Sequence, residues 1–251
     1  AAPSQERARR IAQAHPEATF HAEWNELPTL DTDPENGDNR ALDFFGGTLA
    51  GIAEHLDELK ALGVTILYLN PVVRARTNHR YDTGDYETVD PILGDTADFE
   101  ALATEVRKRG MRILCDGVFS HTGADSRYFN RYGRYPEVGA YQSRSSRYYP
   151  WYRFTDFPDH YNAWWGFYTL PALEKDNPEY RRYLLAPETG VLPLWMRRGA
   201  CGWRLDVADE LPVNLLQAMR KAVKDTDPQG TLLGEVWEDA SNKTSYGKRR
   251  R

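Results

Sequence analysis

The chain has few of the features that mark an exported, membrane-spanning or nucleic-acid-binding protein. Its two cysteines, Cys115 and Cys201, cannot build a disulfide framework. Both lie in apolar runs that read as strands, so buried thiols in a reducing compartment are expected. No apolar run approaches the roughly 18 residues of a membrane helix, and no signal-peptide core is present. These absences together lead to the expectation of a cytoplasmic protein with no membrane partner. Positive charge clusters only in "GKRRR" at the C-terminus, against a net charge of −5, which excludes nucleic acid as a natural partner. No G-x-G-x-x-G or phosphate loop follows any strand-like segment, and "FFGG" at 44–47 has no accompanying Lys. A Rossmann-type nucleotide enzyme is therefore disfavoured. "NKT" at Asn242 matches a glycosylation acceptor, which means nothing without secretion.

What is present is an alternation of helix and strand patterns in a chain long enough for one large domain or two small ones. "LAGIAEHLDELKALG" places Leu49, Ile52, Leu56 and Leu59 on one helical stripe, with Gly63 as its stop. "VTILYLNP" then reads as a strand. "DTADFEALATEVRKRG" repeats the plan with Asp95 or Thr96 as cap, Phe99, Leu102 and Val106 inward and Gly110 as stop, before the strand "MRILCDGVF". Later come the strand "GWRLDVA", a helix over Pro212 to Asp225 and the strand "TLLGEVW". Strands that are mostly apolar on both faces, separated by helices, predict a parallel α/β sheet covered by helices.

Residues 121–168 break the pattern with sixteen aromatics, among them Tyr148, Tyr149, Trp151, Trp164 and Trp165. An insertion leaving the carboxyl end of a strand suits an irregular subdomain beside an active site. Most of these rings are expected to form the insertion's own core, with one or two free to stack on a sugar. Beyond it, "NPEYRRYLL" starts a helix that Pro187, Gly190 and Pro193 should break before "LWMRRG" resumes.

The segment "CGWRLDVADE" carries Arg204 and Asp206 two residues apart, hence on one face of a strand. Charge in an apolar strand is costly unless paired or used. Asp116, Asp206 and Glu235 each fall at the end of a strand-like segment, which is where parallel α/β folds place ligands and catalytic groups. A set of salt bridges closing the sheet's mouth would explain one such acid better than three. Two carboxylates suit glycoside hydrolysis, one as nucleophile or base and one as acid. Arg204 should hold Asp206 ionised, and a dry, aromatic-lined site should raise the pKa of Glu235.

"DGVFSH" (116–121), "GWRLDVADE" (202–210) and "GEVW" (234–237) resemble, in order, three signature motifs of the α-amylase family, glycoside hydrolase family 13. "FFGGTLAGI", "NHRYDTGDY" and "LPALE" resemble its neopullulanase and cyclomaltodextrinase branch. The resemblance implies a (β/α)8 TIM barrel with an inserted B subdomain (121–168), acting with retention on maltodextrin, pullulan or cyclodextrin-type α-glucans. It makes Asp206 the nucleophile and Glu235 the general acid/base. Arg204 and His121 become sugar-holding groups, Tyr81 the ring beneath the sugar and Asp116 a supporting acid. Asp82 and Asn78 are further candidates for substrate contact, and His79 reads as a loop histidine. Transglycosylation of the branching or glucanotransferase type would use the same residues. A non-catalytic amylase-like scaffold would not need the acid pair. A homodimer of the full-length protein is left open.

Three departures from the family pattern stand out. Ser120 replaces the Asn that usually precedes the motif histidine and is often a calcium ligand, and Thr48 replaces the Asp of "GGD", also near a calcium. "DTDPENGDN" does not make an EF-hand, because its sixth and twelfth positions are Asn36 and Leu42. No cofactor or metal is expected, and the departures count against calcium. The third departure is that the family's first strand and its third carboxylate, from a later strand, have no counterpart. Residues 1–251 therefore read as a partial catalytic barrel, about strands two to five, expected to be marginally stable and inactive by itself.

Overall fold

The computed structural model describes residues 5–33, 37, 39–239, 244–245 and 248–249. Asn36, Asn242 and the last two arginines of the basic cluster lie outside the described residues. The elements run α1 (Gln5–Ala14), β1 (Thr19–Phe20), β2 (Asp43–Phe44), α2 (Leu49–Glu54), α3 (Leu56–Ala61), β3 (Ile66–Leu69), β4 (Val73–Ala75) and β5 (Thr83–Val89). They continue as α4 (Thr96–Lys108), β6 (Arg112–Gly117), β7 (Phe154–Asp156), β8 (His160–Tyr161), α5 (Pro178–Leu185) and α6 (Val191–Arg198). Last come β9 (Ala200–Leu205), α7 (Val213–Thr226), β10 (Thr231–Gly234), β11 (Thr244–Ser245) and β12 (Lys248–Arg249).

The α/β class is as expected. Strands β3, β6, β9 and β10 lie side by side in chain order, every pair parallel. Leu67 is in register with Ile113, Leu69 with Cys115, and Cys115 with Trp203, so these side chains share the outer face. Phe99, Leu102 and Val106 of α4, Trp195 of α6, and Leu215, Met219 and Val223 of α7 are buried in the same apolar core. Phe99 meets Trp195 edge to face at 4.9 Å. Asp95 caps α4 through a capping box with Asp98, each side chain accepting the other's backbone N–H at 3.0 Å.

Gly202 explains how β9 reaches β10. Its φ is +144°, and a Cβ there would stand 1.8 Å from the Thr231 carbonyl oxygen. Only glycine permits that approach.

Two local expectations need correcting. The stripe over 49–62 forms two short helices, α2 and α3, because the chain tightens at His55, whose N–H bonds back to Ile52 only three residues away. Leu49 and Leu56 both remain buried. Pro193 does not break a helix: α6 begins after its cap Gly190 and carries Pro193 in the first turn. No intrahelical N–H partner is required there. Ahead of these helices, Thr19 and Phe20 pair in parallel with Asp43 and Phe44.

The aromatic stretch is irregular, with one short hairpin (β7–β8) and a web of ring contacts. Tyr128, Phe129, Tyr148, Trp151, Tyr152 and Tyr161 are buried in it. Tyr128 touches the rings of Tyr86, Tyr148, Trp151 and Tyr183. Bridges from His121 to Ala172, Tyr152 to Leu173 and Ala163 to Pro171 tie the stretch to the segment that follows it.

Candidate active site

Strand register assembles the charged cluster. Asp116 on β6 lies opposite Arg204 on β9, and Arg204 opposite Leu233 on β10. Side chains in register point the same way, and so do residues two apart. Asp116, Arg204, Asp206 and Glu235 therefore converge at the carboxyl end of the sheet's inner face. Arg204 Nη1 donates to both Asp116 oxygens at 3.1 and 2.9 Å and to Asp206 Oδ1 at 3.1 Å. Its Nη2 pairs with Glu235 Oε1. One guanidinium thus holds three carboxylates, as its planar fork allows. Tyr68 and Tyr81 also donate their hydroxyls to Asp116, the latter at 3.0 Å.

The backbone turns sharply just beyond Asp206. Val207 has φ +42°, a left-handed conformation that a β-branched residue adopts only under constraint. The constraint is visible. Val207 N–H donates to Glu235 Oε2 at 3.0 Å, Ala208 N–H donates to the Glu235 carbonyl at 3.0 Å, and Glu235 N–H donates to the Leu205 carbonyl at 2.9 Å. The strand ends carrying the two acids are clamped to each other, and strain of this kind concentrates at functional sites.

The electrostatics run opposite to expectation. Burial, with Asp116 close by, pushes the Asp206 carboxyl up to about 7 even though Arg204 opposes the shift. Glu235 goes the other way: burial raises it, but the Val207 N–H, Trp237, Arg204 and a hydrogen bond with Asp206 together leave it lowered. Arg204 does not keep Asp206 fully ionised because it is shared among three acids, of which Asp116 and Asp206 are the more deeply buried.

An open cavity of about 570 Å³ stands over this cluster, a size typical of small-molecule sites. Tyr81, His121, Arg204, Asp206 and Glu235 line it. Asp116 sits beneath, tied to Tyr81 and Arg204. His121 is 1% exposed, and burial lowers its pKa to about 3, so the imidazole is neutral. Asn78 and Asp82 are put to other uses. The Asn78 amide donates to the Asp43 carbonyl at 2.9 Å. Asp82 accepts from Arg76 N–H, Thr77 N–H and the Thr77 hydroxyl, fixing the loop that presents Tyr81. His79 does line the cavity, together with Asn39, Trp164, Phe167 and Trp237. The sequence singled out Trp164 only as one ring among many. Its indole N–H and that of Trp165 donate to the two oxygens of Glu210 at 2.8 and 2.9 Å. Trp165 and Trp237 stay exposed and meet edge to face at 5.6 Å.

At the two positions where the resemblance points to calcium ligands, hydroxyl groups make bonds within the protein. The Ser120 hydroxyl lies 2.6 Å from His121 Nδ1, and the Thr48 hydroxyl caps α2 by accepting the Gly51 N–H at 2.9 Å. Among the described residues, no group of three or more His, Cys, Asp or Glu side chains is placed to hold a metal.

Comparison with known proteins places the chain among related sequences and folds. The family model "Alpha amylase, catalytic domain" matches residues 29–251. The amylopullulanase of Thermoanaerobacterium saccharolyticum is 37% identical over 261 residues, covering 95% of this chain and 20% of that protein. Neopullulanase 2 of Thermoactinomyces vulgaris is 36% identical over 205 residues, covering 79% of this chain and 33% of that one. The solved type III pullulan hydrolase of Thermococcus kodakarensis superposes with a TM-score of 0.77 at 31% identity, over 93% of this chain and 39% of that structure. The chain thus spans from a fifth to two fifths of the length of these relatives. With the motif residues drawn to one cavity and the family model matching nearly all of the sequence, the chain belongs to the alpha-amylase family, within its catalytic domain.

Proposed function

We propose that the chain carries the paired-carboxylate centre of a retaining α-glucan hydrolase of the neopullulanase and cyclomaltodextrinase type. The observation that carries this is the sharing of one guanidinium by Asp206 and Glu235, on adjacent strand ends that are also bonded to each other. Acids held this closely suit the separation of about 5–5.5 Å used in retaining chemistry, not the wider gap that admits a water between them. The names of the relatives, amylopullulanase, neopullulanase and pullulan hydrolase, support α-glucans as the substrate class.

In this reading the Asp206 carboxylate attacks the anomeric carbon while Glu235 gives its proton to the departing glycosidic oxygen. The resulting glycosyl ester on Asp206 is then cleaved by water, which Glu235 deprotonates. The free protein holds its shared proton nearer Asp206. A bound glucan corrects this, because it covers Glu235, whose side chain is 25% exposed, and removes it from water. Positive charge developing at the anomeric carbon favours ionised Asp206 at the same moment. The hydrogen bond between the two carboxyls is the path by which the proton passes from one to the other. Tyr81 forms the floor of the sugar site, and Trp164 and Phe167 its side.

The four parallel strands are read as a run of a (β/α)8 barrel, with residues 121–168 as its B subdomain. The sheet's inner face supports this: Tyr68 and Leu233 point inward yet are 43% and 53% exposed, as barrel interiors are not. A cytoplasmic location is consistent with the two buried free thiols.

The test is to incubate the full-length protein with maltodextrin, pullulan and a cyclomaltodextrin and follow the products by proton NMR. Early release of the α-anomer is expected. Early β-anomer would overturn retention, no cleavage would overturn the hydrolase reading, and products longer than the substrate would establish transglycosylation in its place.

A further inference from the structure

The bonds around His121 give Ser120 a role that its family position does not suggest. His121 Nε2 lies 3.1 Å from the Tyr81 carbonyl oxygen and Nδ1 lies 2.6 Å from the Ser120 hydroxyl. A carbonyl can only accept, so this contact is a hydrogen bond only if Nε2 carries the proton. With the proton on Nδ1 instead, two lone pairs would face each other at 3.1 Å in a buried site. The ring does not carry both protons, since burial opposes the charge and the Lys175 ammonium opposes it further. Nδ1 is therefore an acceptor, and the Ser120 hydroxyl is its donor.

We propose that Ser120 is a positioning residue that fixes His121 as the Nε2–H tautomer and so keeps a hydrogen-bond donor on the cavity side of the ring. The geometry is over-determined around it. Ser120 and His121 are each 1% exposed, the Ser120 carbonyl accepts the Leu173 N–H at 3.0 Å, and Trp164 packs against the imidazole at 5.1 Å. The hydroxyl cannot swing away to solvent, and the ring cannot flip without losing both bonds. Tyr81 lines the cavity and Ser120 does not, so Nε2 is the nitrogen that a ligand can reach. In the free protein Nε2–H donates to the Tyr81 carbonyl. A sugar hydroxyl arriving over Tyr81 can take over that bond, an extension that rests on the α-glucan reading above. A histidine tautomer is generally set by what its other nitrogen bonds.

Nitrogen-15 NMR of the imidazole in the full-length protein tests this without reference to activity. The wild-type His121 ring is expected to show a protonated Nε2 and an unprotonated, hydrogen-bonded Nδ1 across neutral pH. A ring found with its proton on Nδ1, or doubly protonated, overturns the proposal, and this measurement needs no variant. In Ser120→Ala the Nδ1 signal should move toward that of a free acceptor and a minor Nδ1–H form should appear. Ser120→Thr should restore the wild-type pattern. Ring signals unchanged in Ser120→Ala would also overturn it. With maltodextrin, Ser120→Ala should raise KM about tenfold with a smaller change in kcat, as loss of one positioned hydrogen bond does. If the tautomer shifts as expected and no glucan is cleaved by any form, the substrate reading fails and the role of Ser120 stands.

Discussion

The charged mouth of the sheet and the aromatic insertion beside it are built on opposite principles. At the mouth, four ionisable side chains stand on regular strands, and their convergence follows from register: Asp116 opposite Arg204, with Asp206 and Glu235 one step beyond the strand ends. In the insertion almost no regular structure exists, and the backbone is held by rings such as Tyr128, Phe129 and Trp151 packed against one another. One region spends stability to concentrate like charges around a single arginine. The other supplies stability and, at its edge, leaves Trp165 and Phe167 facing outward. Function at the mouth thus depends on order that the insertion helps to provide.

The largest effect expected from breaking this division is on the insertion side. Tyr128→Ala removes a fully buried ring, its hydroxyl contact with Tyr183 at 2.8 Å and the acceptor of the Tyr86 N–H at 3.0 Å. A loss of about 3–5 kcal/mol is expected, measured by denaturant unfolding of the full-length protein. A loss below about 1 kcal/mol would mean that the insertion's rings are not the support described.

Next in size is Arg204→Lys, which keeps the charge and loses the fork. Turnover on maltodextrin should fall about 10²–10³-fold, as on removal of one preorganised donor. Near-normal kcat would reduce Arg204 to a bystander.

How the two regions differ also decides what could be read in advance. The pairing of Arg204 with Asp206 and the grouping of Asp116, Asp206 and Glu235 were legible because a strand's period of two fixes where side chains point. Helices α4 and α7 were legible from their apolar stripes and, for α4, from its cap. Asn39, His79, Trp164 and Trp237 line the cavity from irregular backbone, where no period exists, and spacing carries no signal for them. Asn78 and Asp82 show the converse. Each has the right chemistry for a sugar, but loop geometry turns one toward the Asp43 carbonyl and the other toward the Arg76 and Thr77 amides. The swapped electrostatics of Asp206 and Glu235 was not legible, because burial and the sharing of Arg204 are properties of the assembled site.

That swap gives a smaller, pH-dependent effect. A carboxyl raised to about 7 in the fold binds its proton more tightly than in the unfolded chain, where its pKa is about 3.9. Stability from this group is present below about pH 4, declines as pH rises toward 7 and is flat above. Asp206→Asn removes the penalty. It should stabilise the protein at pH 8 by roughly 1–3 kcal/mol and by little at pH 4. Equal effects at both values would show that Asp206 is an ordinary carboxylate.

The smallest expected effect is that of a calcium chelator. With Ser120 bonded to His121 and Thr48 capping a helix, the thermal midpoint of the full-length protein should not move. A large fall on chelation would show that a metal supports the mouth after all.

The claim that matters most is that the two acids divide their labour, with Asp206 forming the bond to sugar. The direct measurement uses a fluorinated α-glucosyl fluoride that forms the glycosyl-enzyme faster than it is released, followed by protease digestion and mass spectrometry of the full-length protein. The label is expected on the peptide holding Asp206, as an ester of that carboxylate, and it should be absent from Asp206→Asn. Label on Glu235, or no covalent adduct from an enzyme that still turns over α-glucan, would contradict it.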